Sequence, residues 1–155
     1  MDSKDSSKKN MKKYKKYSFV FERINESIKA NFPIEAIALE ECIVADRLRS
    51  FLRSAKPLCL KDGLLSTSRL IDESKKNVPT TDRCVLIQTQ DWIRRRNSII
   101  HGVIISKTGE ESSNDNHEFI KNAKDIATTG MELVRKLDAW VRRTKRVLNK
   151  RAKEQ

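Results

Sequence analysis

Arg96, Asn97 and His101 stand within six consecutive residues of an otherwise apolar stretch, Trp92-Ile93-Arg94-Arg95-Arg96-Asn97-Ser98-Ile99-Ile100-His101-Gly102. A guanidinium is a permanent fork of donors that matches a phosphate group. An imidazole, with an ordinary pKa of about 6.5, can take or give a proton near neutrality. An amide can orient either partner. Gathered beside apolar surface, the three suit an anionic, hydrogen-bonding ligand such as a phosphodiester. Cleavage of RNA needs a base for the ribose 2′-OH, an acid for the departing 5′-oxygen and positive charge on a phosphorane-like transition state. His101 fits the acid–base role, Arg96 the charge, and Asn97 either orients the imidazole or holds the phosphate. His101 and Asn97 also have plain structural readings: a core histidine satisfied by backbone, and a buried amide bridging two helices.

The spacing is helical. At about 100° per residue, Val85, Thr89, Trp92, Arg96, Ile99 and Val103 form one stripe, which turns Arg96 toward the core. Asn97 and His101 are four apart and share a face. Arg96 and His101 are five apart, roughly 140° around the helix, so only the long arginine side chain brings both to one pocket. Arg94 and Arg95 point elsewhere, either to contact a substrate strand or to form a solvated face. Trp92 and Trp140 lie on apolar stripes and read as core, and His117 reads as surface.

Arg96-Asn97-x-x-x-His101-Gly102 resembles the Arg-x4-His signature of the HEPN family (higher eukaryotes and prokaryotes nucleotide-binding), whose commonest form has Asn after the Arg. The resemblance implies a small all-helical dimer and a metal-independent endoribonuclease of the toxin or phage-defence kind, leaving a 2′,3′-cyclic phosphate. It also implies a cognate antitoxin or other defence-system partner, and Arg96 of one chain meeting His101 of the other. Ala38-Leu39-Glu40-Glu41 followed by Asp46-Arg47-Leu48 looks like the second helix of such proteins, which makes Glu41 a supporting carboxylate. Surface carboxylates on an amphipathic helix are the alternative. Toxin forms often carry Tyr two residues after the His, where this chain has Val103. Relatives resembling the mannitol operon repressor carry a similar Arg-Asn and His pattern and act as regulators. A non-catalytic module that binds nucleic acid or protein is therefore the second reading.

Around this stretch the pattern predicts an all-α bundle of four to five helices. A first helix is expected from about Tyr14–Tyr17 to Asn31, after a disordered basic tail over 1–13. A second runs from Ile34 to Ala55 with Glu41 in its apolar stripe, stopped by Pro57. Asp62-Gly63 signals a turn, and Ser66 or Thr67 caps a short helix carrying Leu70 and Ile71. Thr80 or Thr81 caps the motif helix, with Asp82 in its first turn, and that helix ends near Ile104. Residues 107–116 read as an exposed loop. A last helix runs from Asn116 past Leu148, with Gly130 tolerable in mid-helix if a neighbour packs closely there. Residues 14–150 then make one domain, and 151–155 a basic C-terminal end.

The 155 residues carry a net charge of +12, with 35% charged and 6% aromatic residues. The excess is uneven: residues 1–17 are net +5, residues 142–155 net +6 and the long middle only +1. Basic ends attract polyanions, RNA above all, in a salt-dependent way, and Lys12 and Lys13 join Arg94 and Arg95 as expected RNA contacts. Solubilising tails are the alternative. Three widely spaced cysteines argue against a disulfide framework and fit a reducing cytoplasm. No apolar run is long enough to span a membrane. Gly-rich phosphate loops, H-E-x-x-H and Cys/His clusters are missing from the sequence, so neither a cofactor nor a metal is expected. A homodimer through the motif helix is expected on two grounds. Pairing would cover Ile99, Ile100 and Val103, and it would let Arg96 and His101 meet across the two-fold axis.

Overall fold

A computed structural model describes residues 3–55, 65–104, 113–151 and 154. Five helices pack into a bundle: α1 (Ser3–Lys29), α2 (Pro33–Ala55), α3 (Thr67–Lys76), α4 (Cys84–Ile104) and α5 (Ser113–Arg151). The all-α expectation holds, and no strand occurs among the described residues.

α1 begins at Ser3, not near Tyr14, so residues 3–13 are helical turns where a disordered tail was expected. Lysine is a good helix former, and an exposed helix can extend without burying anything. The other end of α1 falls where expected. Asn31 takes a left-handed backbone conformation, φ 64°, and the Phe32 amide donates back to the Ser27 carbonyl at 2.8 Å. This is a Schellman-type cap, with Asn in the position where Gly is commonest. Pro33 then opens α2 at a site where its missing N–H costs nothing.

Ser66 caps α3, its hydroxyl accepting from the Arg69 amide. Thr80–Asp82 form a 3-10 turn ahead of α4 instead of capping it. That turn is tied to α5, since the Trp140 indole N–H donates to the Asp82 carbonyl at 3.2 Å. α5 begins at Ser113, so residues 113–116 of the expected loop are helical. Pro57, the Asp62-Gly63 turn and the rest of the 107–116 loop lie outside the described residues.

Partner residues give the helix directions. Tyr17 meets Asp46 and Arg23 meets Glu35, so α1 and α2 are antiparallel. Arg47 meets Asp138 and Lys145 meets Ser50, so α2 and α5 run parallel. Trp92 reaches Ile126 while Asp82 reaches Trp140, so α4 is antiparallel to both. The core lies where α2, α4 and α5 meet, with Ile37, Leu48, Phe51, Leu86, Val134 and Leu137 fully buried. The Phe51 and Trp140 rings pack at 5.0 Å between centroids, inside the favourable range for a tilted pair.

Candidate functional site

The motif helix buries Leu86, Thr89, Trp92 and Ile93 and turns its later residues toward the surface. Thr89 satisfies its hydroxyl by donating to the Val85 carbonyl at 2.7 Å. Trp92 is 2% exposed and donates to the Ile126 carbonyl at 3.0 Å. Both tryptophans are core, as their stripes implied. Trp92 sits one turn before Arg96, so it sets where Arg96 leaves the core.

Arg96 is half-buried and not enclosed. Its Nη2 donates to Glu41 Oε2 on α2, and its Nη1 to its neighbour Asn97 Oδ1 at 2.7 Å. Glu41 also accepts from the Thr67 hydroxyl at 3.1 Å. The carboxylate is thus held by α3 and holds α4. A chain of four groups, Thr67, Glu41, Arg96 and Asn97, fixes the guanidinium at the junction of three helices. Arg96 Nε is buried and without a partner among the described residues.

His101 is exposed, and its imidazole makes no hydrogen bond to a described residue. Arg94 and Arg95 are exposed, and Arg94 lies 3.4 Å from Asp91 on its own helix face. Ile99 and Ile100 are partly exposed. Lys12 and Lys13 belong to the far end of α1, away from Arg96 along the bundle. The structure therefore brings together Arg96, Asn97 and Glu41. It leaves His101 on the surface of the same helix and does not bring the two lysines to them.

Two residues were missed. The sequence marks Thr67 only as a candidate cap, yet it bonds Glu41. Glu40, not Glu41, is the carboxylate enclosed by the core: it is fully buried and neither oxygen has a partner among the described residues. Burial pushes its pKa up to about 9. The carboxyl sits against Gly130 of α5, where an added Cβ would lie 2.1 Å from Glu40 Oε2 and 2.8 Å from Trp92 Nε1. Gly130 is the notch that lets α2 and α4 approach α5, which answers the expectation of close packing there. Glu40 fits the spacing of Ile37, Val44 and Leu48, and Glu41 fits that of Ala38, Ala45 and Leu48 as well, so the spacing alone does not choose between them.

No family model matches the chain, and neither a curated protein nor a solved structure is found to be similar to it.

Proposed function

We propose that this chain is a metal-independent endoribonuclease of the HEPN type. The observation that carries the reading is the guanidinium of Arg96. Glu41 and Asn97 hold it at a helix junction, on the same helix as an exposed imidazole. Pre-positioned positive charge is what a phosphorane-like transition state requires. In this reading Arg96 supplies the positive charge on the transition state.

The chain has one motif histidine, and the reaction needs both a base and an acid. A homodimer about the α4 face supplies two. One His101 takes the proton of the 2′-OH, and that oxygen attacks the adjacent phosphorus. The bond from phosphorus to the 5′-oxygen breaks, and this oxygen takes a proton from the second His101. The products are a 2′,3′-cyclic phosphate and a free 5′-hydroxyl. Partly exposed Ile99 and Ile100 are the apolar surface the dimer covers. A toxin or phage-defence effector of this kind works in the cytoplasm under the control of an antitoxin or similar partner.

Arg96→Ala and His101→Ala are each expected to abolish RNA cleavage while keeping wild-type helicity, and wild-type cleavage is expected to persist in EDTA. Full activity of His101→Ala, or loss in EDTA that a divalent ion restores, refutes the proposal. One observation favours the second reading, a non-catalytic nucleic-acid or protein-binding regulator. Both terminal nitrogens of Arg96 already have partners within the chain, as a purely structural ion pair would. Sequence-selective binding by the wild type, with no cleavage at any concentration, would establish that reading.

A further inference from the structure

The two basic ends of the sequence become one surface in the fold. α1 is antiparallel to α2 and α5 is parallel to it, so the start of α1, the end of α2 and the end of α5 lie at one end of the bundle. Residues 3–17, 46–55 and 142–151 together hold 16 basic and 2 acidic residues, which makes this end +14 and leaves the rest of the chain at −2. The two acids are Asp5 and Asp46, and Asp46 is already engaged by Tyr17 and Arg47. Asp138, which borders the surface, is likewise held by Arg47 and Arg142. Lys15, Lys16, Arg53, Arg143, Arg146 and Lys150 remain exposed.

We infer that this end of the bundle is a composite docking platform for the phosphodiester backbone of a single-stranded RNA. Arg143, Arg146 and Lys150 stand at i, i+3 and i+7 on α5. At 1.5 Å per residue they recur at rises of about 4.5 and 6 Å along one face, a row suited to successive phosphates. Tyr14 is 75% exposed on the same stretch of α1 and offers a ring on which a base can stack. An anionic membrane would call for more apolar anchorage than Met11, Tyr14 and Val147 provide. The platform lies far from Arg96. Trp92 is level with Ile126 on α5, so the Arg143–Lys150 row is roughly 30 Å further along that helix. The inference rests on the ribonuclease reading only for the RNA's fate: the platform holds the strand remotely while the α4 site acts on another part of it.

Binding of a fluorescent 20-nucleotide single-stranded RNA, followed by anisotropy from 50 to 300 mM salt in an inactive His101→Ala background, tests this without depending on cleavage. The triple variant Arg143→Gln/Arg146→Gln/Lys150→Gln is expected to weaken binding on the order of tenfold and to lower the salt slope by about 2. Lys15→Gln/Lys16→Gln should weaken binding of the same RNA, because both helices serve one surface. Lys29→Gln/Arg69→Gln/Lys76→Gln, the same charge loss elsewhere, should change neither quantity by more than about a third of that. Arg143→Lys/Arg146→Lys/Lys150→Arg should bind as wild type, which separates charge from fold. The inference is overturned if the elsewhere variant matches the platform variant. It is also overturned if phosphatidylserine vesicles capture the protein through the same residues more tightly than RNA does. Platform-dependent binding with no cleavage by the wild type would instead sink the ribonuclease reading and leave the platform standing.

Discussion

Replacing Glu40 by Gln should make the protein progressively more stable than wild type as pH rises. The carboxyl is fully buried beside Gly130 and Trp92, with no hydrogen-bond partner among the described residues. Burial lifts its pKa to about 9 from an ordinary value of 4.5. Below pH 4.5 the group is protonated in folded and unfolded chains alike, and it contributes no pH dependence. Between the two values the folded chain keeps the proton while the unfolded chain loses it. The unfolded state then binds fewer protons, and stability falls as pH rises. One pKa unit corresponds to about 1.4 kcal/mol, so from pH 5 to pH 8 wild type should lose about 4 kcal/mol through this one group. Gln keeps the shape and cannot ionise. Urea denaturation of both proteins at pH 5, 6.5 and 8, with stabilities extrapolated to water, isolates the term, because every other titration cancels in the difference. The Gln-minus-Glu stability difference should rise by about 4 kcal/mol over that range. A difference flat to within about 1 kcal/mol, or one that falls with pH, would refute the assignment of Glu40 as a neutral core carboxyl.

Gly130→Ala gains about 1 kcal/mol of helix preference but pushes a Cβ into Glu40 and Trp92. A net loss of about 1–3 kcal/mol by thermal unfolding is expected, smaller in a Glu40→Ala background. Glu41→Ala frees Arg96 from α2, and if Glu41 positions the guanidinium, kcat for RNA cleavage should fall on the order of tenfold with little change in KM; an increase in kcat would show that Glu41 masks Arg96 instead. Mixing inactive Arg96→Ala with inactive His101→Ala chains, with subunit exchange allowed, should leave cleavage lost, because each heterodimer keeps one His101 where the reaction takes both a base and an acid; recovered cleavage would show that Arg96 of one chain and His101 of the other suffice. Sedimentation of the wild type should show about twice the 18.0 kDa chain mass.

The start of α2 was readable to within a residue because Pro33 belongs at a break or in a helix's first turn, and the apolar stripe runs unbroken on each side of Glu41. The phase of that stripe was harder. Apolar residues cover so much of the α2 wheel that Glu40 and Glu41 both fit its inner face. The choice between them is made by Gly130, 90 residues downstream, whose notch admits the Glu40 carboxyl. Thr80–Asp82 failed as a cap for a similar reason: Trp140 of α5 fixes the turn. Arg96 and Asn97 were found by motif spacing, and Glu41 by the pattern of α2. Thr67 was not, because a hydroxyl that caps and a hydroxyl that bonds a carboxylate look alike until α2 and α3 are placed together.

The parallel pairing of α2 with α5 has a bearing on how the chain comes into being. Its contacts join residues 91 and 95 apart in sequence, Arg47 with Asp138 and Ser50 with Lys145. Closing so long a loop is entropically slow, and it has to wait for the last helix. On the ribosome, α1 to α4 emerge before α5. In that interval Trp92 lacks its acceptor at Ile126, and Glu40 and Trp92 lack the helix that encloses them. The order of synthesis therefore places the closing of the core behind Arg96 after the emergence of α5, so a chain still short of α5 carries the motif without the core that holds it.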